Sequence, residues 1–121
     1  MSMSQPTEII LHQQTRSLEI AYSDGARHTL TAEFLRVFSP SAEVRGHGPG
    51  QETLQVGKQL VNITELEPVG QYAMKIHYDD GHDSGIYSWD YLYGLGLDQE
   101  ILWHNYLSRL KKAGASRMPK E

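Results

Sequence analysis

The sequence predicts an α+β fold: an antiparallel sheet built from hairpin-then-helix units, with a C-terminal helix packed on it. Three observations carry this expectation. Tyr72, Met74, Ile76 and Tyr78 alternate with Ala73, Lys75 and His77 at the two-residue period of a strand, and Asp79-Asp80-Gly81-His82 supplies a turn, because glycine reaches positive φ without steric cost. Leu18, Ile20 and Tyr22 form a second alternating run that ends in a second turn signal, Ser23-Asp24-Gly25-Ala26. Trp103, Tyr106, Leu107 and Leu110 recur at helical spacing near the end of the chain.

In chain order, Thr7 to Gln13 reads as a first strand, with Pro6 ahead of it where a missing N–H costs least. The Leu18–Tyr22 strand follows, and Arg27 to Leu30 pairs back after the Asp24-Gly25 turn. Thr31 then caps a short helix carrying Phe34, Leu35 and Phe38. Ser39-Pro40 suits an N-cap and first turn for a further helical turn through Val44. A loop around His47 contains Gly46, Gly48, Pro49 and Gly50; Leu54, Val56, Leu60 and Val61 resume strand character, and Asn62 to Val69 is extended. In the central hairpin Ser84 to Tyr87 pairs back and Ser88 caps a helix that begins Trp89, Tyr91, Leu92. Gly94 and Gly96 are expected to break it. Asp98 caps the last helix to about Lys112, Lys111 and Lys112 complement its dipole, and Gly114 ends it.

Ile20-Ala-Tyr22-Ser-Asp24-Gly25 matches Ile76-His-Tyr78-Asp-Asp80-Gly81 at an offset of 56 residues, with Leu30 and Ile86 on the return strands. Duplication and convergence on a common motif both account for this match. Two such hairpins would most economically share one antiparallel sheet, with helices covering one face.

With 121 residues the chain suits a single domain, 1–121, with an ordered core over about 7–113 and a frayed tail over 114–121. At 39% hydrophobic and 21% charged it lies outside the disordered class. A net charge of −4 and scattered lysines and arginines argue against nucleic acid as the main ligand. The absence of cysteine excludes disulfides, thiolate metal sites and a cysteine nucleophile. With neither a basic leader nor an apolar run of roughly 20 residues, no membrane association is expected, and the location is read as cytoplasmic.

Glycine-rich phosphate loops, Gly-x-Ser-x-Gly elbows and His-Glu-x-x-His helices are missing, so no catalytic residues are assigned. His82 stands in a turn, read as exposed, beside Asp79, Asp80 and Asp83. Imidazole with carboxylate is a ligand set for divalent metals; the competing reading is a solvated turn that His82 caps. Ser39, Ser41 and Glu43 form a polar site with His47 or serve as turn caps. Trp89 and Tyr91 either stack on a ligand or belong to the core.

Three blocks resemble a known family in order along the chain: Leu35-Arg36-Val37-Phe38-Ser39-Pro40-Ser41-Ala42-Glu43-Val44-Arg45-Gly46-His47, then Pro68-Val69-Gly70-x-Tyr72-Ala73, then Asp80-Gly81-His82-x-Ser84-Gly85-Ile86-Tyr87-Ser88-Trp89. The family is the gamma-butyrobetaine hydroxylase-like N-terminal domain, and the resemblance spans roughly Ile9 to Leu110. In the hydroxylases it implies a structural zinc held by three cysteines and the histidine of the Asp-Gly-His turn. Carried over, those positions are Ser39, Ser41, Val44 and His82, so the cysteine-based zinc site is absent. What remains is a candidate iron or zinc site of His82, His47, Glu43 and Asp80. The dioxygenase chemistry of those enzymes sits in another domain, so the resemblance implies a non-catalytic accessory domain with a protein partner or a homo-oligomer. Its expected binding surface includes Trp89, Tyr87 and Arg45. Similar segments joined to iron–sulfur cluster carriers add iron handling as the alternative role.

Overall fold

The computed structural model describes residues 5–46 and 52–119. Its elements run β1 (Pro6–His12), β2 (Ser17–Tyr22), β3 (Arg27–Thr31), α1 (Ala32–Val37), α2 (Ala42–Arg45), β4 (Ile63–Val69), β5 (Ala73–Tyr78), β6 (Ile86–Ser88), α3 (Trp89–Leu97) and α4 (Gln99–Ala113). The α+β class and the hairpin-then-helix units are as expected. The single sheet is not: the described strands form two antiparallel sheets, β1-β2-β3 and β4-β5-β6. β1 and β4 take the second edges of β2 and β5, so each middle strand is paired on both sides within its own unit. The units meet through side chains instead. Leu18, Ile20 and Leu30 of the first sheet and Ile63, Met74, Ile76 and Tyr87 of the second share one core with Phe34, Leu35, Leu92 and Leu95. Gln13 Nε2 also donates to the Ile63 carbonyl at 3.1 Å, and Asn62 Nδ2 to the Gln13 carbonyl at 2.9 Å.

The likeness of the two units extends to their details. Gly25 and Gly81 have φ of 91° and 88°, and the backbone amides of Tyr22 and Tyr78 donate to the carbonyls of Ala26 and His82 at 2.8 and 3.1 Å. Asp24 and Asp80 each accept the backbone N–H two residues on. Both outer strands carry a register shift, between Pro6 and Glu8 and between Ile63 and Glu65. Thr31 and Ser88 cap the following helices by accepting from the amides of Phe34 and Tyr91, each at 3.0 Å. Leu18 faces Leu30 while Met74 faces Tyr87, so the second connection is one residue longer. The residue of the second unit equivalent to Leu30 is therefore the buried Tyr87, and Ile86 points to solvent.

Several local expectations are corrected. Residues 52–62 form no strand among the described residues. Helix α3 runs through Gly94 and Gly96 to Leu97, because Gly96 packs against His28: a Cβ there would meet His28 Cγ at 2.5 Å. Leu107 is exposed, and α4 docks through Trp103, Tyr106 and Leu110 beside Phe34, Val37 and Phe38. Within the stretch expected to fray, Ser116 and Arg117 are tied down. The carbonyls of Ser116 and Arg117 accept from Gly57 and Gln59, and Arg117 grips the buried Glu33 with two bonds of 2.7 Å.

Candidate functional site

The turn after β5 and the residues between α1 and α2 converge on one imidazole. His82, read as exposed from sequence, is 6% exposed, and Ser39 is fully buried. Ser39 Oγ lies 2.9 Å from His82 Nε2 and Ser41 Oγ 3.4 Å from it. The Ser41 amide donates to Ser39 Oγ at 3.3 Å. On its other side the ring faces Glu43 Oε2, 3.9 Å from Nδ1. Glu43 is exposed and also accepts from Ser84 Oγ at 2.9 Å. Ser39 thus serves the imidazole rather than the N-cap expected of it, and helix α2 starts after Ser41.

Below the turn, Asp80 Oδ2 takes bonds from Arg36 Nε at 2.9 Å and Lys58 Nζ at 2.8 Å. Burial pushes the Asp80 carboxyl up, but Lys58, the His82 amide and Arg36 together outweigh it and hold the group at about 2. Burial lowers the His82 pKa, and Arg36 lowers it further against the pull of Glu43 and Asp80. A histidine depressed in the folded state gives stability that is present above its unfolded value of about 6.5 and is lost as pH falls through the folded value. His82 therefore makes the fold acid-sensitive below about pH 6.5.

The order Ser39, His82, Glu43 is that of a nucleophile, a base and an orienting carboxylate. Access rules that chemistry out at Ser39. The hydroxyl is buried under Gly85, where even a Cβ would come within 2.3 Å of Ser39 Oγ, so a substrate carbonyl has no place to sit. A zinc does not fit either. Two neutral hydroxyls and the buried isopropyl group of Val44 replace three thiolates, removing both the charge and the soft donors. Nor do His82, Glu43 and Asp80 form a converging ligand set: among the described residues the metal-capable group is Glu65, Glu67 and His77. His47 lies outside the described residues. A His-x-Asp pair, not expected from the sequence, is present as His77 and Asp79, but Asp79 accepts the Asn62 amide at 3.0 Å.

Of the expected binding surface, Tyr87 is fully buried and is a core residue. Its hydroxyl donates to the Leu35 carbonyl at 2.7 Å and lies 2.6 Å from that of Tyr78, whose proton it accepts. Trp89 is half-buried, with its indole N–H on the Gln71 carbonyl at 2.9 Å. Arg45 lies 5.9 Å from the Tyr91 ring centroid at the rim of a cleft of about 650 Å³. Val37, Phe38, Val44, Leu95 and Leu102 give this cleft apolar walls, and Arg109, Asp98 and Asp90 stand around them. No sequence motif marks it, because it is assembled from α1, α2, α3 and α4. No helix among the described residues is long and apolar enough to cross a membrane.

Residues 9–93 match the family described as gamma-butyrobetaine hydroxylase-like, N-terminal. No curated protein matches the chain. Two solution structures determined by NMR are each 49% identical to it. One covers 99% of this chain and 94% of its own at a TM-score of 0.85, the other 98% and 88% at 0.82. A crystal structure of a protein of unknown function of the DUF971 family, from Acidithiobacillus ferrooxidans, is 37% identical over 78% of this chain and 94% of its own, with a TM-score of 0.66. The match over most of both hairpin-then-helix units places this chain in the gamma-butyrobetaine hydroxylase-like N-terminal domain family.

Proposed function

We propose that this chain is a non-catalytic accessory domain that binds a protein partner through the cleft between α2 and α4. The cleft itself is the observation that supports this reading. An apolar floor ringed by charges of both signs is the composition of a protein contact, with an apolar anchor at its centre and a polar rim, rather than that of an anion pocket. The cleft beside Glu33 and Trp103 is a weaker candidate, since Arg117 already pairs with Glu33 and covers the Trp103 ring at 5.3 Å.

Gly94 provides a clean test. It lines the cleft, and a Cβ built there meets nothing within 4 Å, so Gly94→Leu points new apolar atoms into the cleft without a clash at the helix. Partners captured by the wild-type chain are identified and their direct binding is titrated. Gly94→Leu and Arg45→Glu are each expected to weaken it by at least about tenfold. A partner held equally by all three proteins, or no saturable partner, overturns the reading.

A further inference from the structure

The outer faces of the two sheets carry related positions with different charges. On the first, Arg27 reaches across to pair with both Glu8, at 2.9 Å, and Glu19. Glu8 and Glu65 occupy the same place, just after the register shift, opposite Ala21 and His77 respectively. In the second unit Ser84, just ahead of β6, comes where the first has Arg27, and its hydroxyl is turned to Glu43. Glu65 and Glu67 therefore share a face with His77 but lack the guanidinium that bridges the first sheet's carboxylates. Lys75 lies opposite Glu67, yet no ion pair joins it to either glutamate among the described residues.

One ligand atom from each of Glu65, Glu67 and His77 lies within 4.8 Å of the other two. Atoms bound at about 2.1 Å to a common ion stand roughly 3–4 Å apart, so small rotations of two exposed glutamates close the set. His77 Nε2–H donates to Glu67 Oε1 at 2.9 Å, so an ion taken by Nε2 displaces that proton. Nδ1 faces Asp83 Oδ2 at 3.7 Å, and a small rotation of the exposed Asp83 brings it to the supporting contact that a metal-bound imidazole makes through its far N–H. We propose that Glu65, Glu67 and His77 bind one divalent first-row transition ion on the outer face of β4 and β5, in the place that Arg27 fills on the first sheet. The imidazole favours zinc, and the two carboxylates also admit manganese, whereas calcium and magnesium take oxygen ligands.

The test is calorimetric titration of the tag-free, chelator-stripped full chain with zinc chloride and with manganese chloride, the fold of each variant being checked by circular dichroism. One saturable site per chain is expected for at least one of the two ions. His77→Ala and the double variant Glu65→Gln/Glu67→Gln should each weaken it at least about tenfold, while His82→Ala leaves it unchanged. No saturable uptake of either ion overturns the proposal. So does uptake that survives both cluster variants, or uptake that only His82→Ala removes.

Discussion

Replacing Gly85 by alanine is expected to destabilise the domain by about 3 kcal/mol, the sum of an overpacking cost and a broken buried hydrogen bond. The new Cβ would sit 2.3 Å from Ser39 Oγ and 3.3 Å from both Pro40 Cδ and Tyr87 Cε1. None of these neighbours is the loose end of a flexible side chain. Ser39 is fully buried and holds His82, Pro40 is a ring, and Tyr87 is fixed in the core. Relief therefore requires Ser39 to move off His82, which leaves an imidazole nitrogen unpaired in the interior. Urea unfolding of wild type and Gly85→Ala measures the difference. Equal midpoints and slopes would mean that the Ser39–His82 contact is slack.

Tyr87→Phe is the second large effect, at about 2 kcal/mol. The Tyr87 hydroxyl joins Tyr78 to the Leu35 carbonyl, and its removal strands a donor and an acceptor in the core. The first unit supplies the control. Tyr22 occupies the place of Tyr78, but Leu30 stands where Tyr87 does, and the buried Tyr22 hydroxyl has no hydrogen-bond partner among the described residues. Tyr22→Phe is thus expected to be neutral or slightly stabilising, because it removes a polar atom whose desolvation nothing offsets. The contrast, read by the same unfolding measurement, separates loss of a hydroxyl from loss of a network. Equal costs at the two positions would contradict it.

The parts of the fold legible in the sequence were those that neighbouring residues decide. Asp-Gly turns, Thr31 and Ser88 as caps and Gly114 as a left-handed terminator all follow from local backbone chemistry. What depends on remote partners was not legible. One sheet or two turned on where β1 and β4 pair, and the helix-breaking reading of Gly96 failed because His28 needs the space a side chain would take. His82 looked exposed because its neighbours in sequence are acidic, whereas its burial comes from Ser39 and Ser41, over 40 residues away. The grouping of Glu65, Glu67 and His77 likewise needs the cross-strand register. The family resemblance, by contrast, rested on contiguous blocks and held over residues 9–93.

Ser39 and Ser41 clamp the buried His82 imidazole and so hold the α1–α2 connection to the β5–β6 turn. Unfolding free energy of tag-free wild type and His82→Gln, from pH 8 to pH 5 with and without chelator, measures what this clamp contributes and whether a metal takes part. Chelator is expected to leave wild-type stability at pH 7.5 unchanged. The advantage of wild type over His82→Gln is expected to shrink as pH falls below about 6.5. A chelator-induced loss in wild type that His82→Gln lacks, or an advantage that grows on acidification, would contradict these expectations.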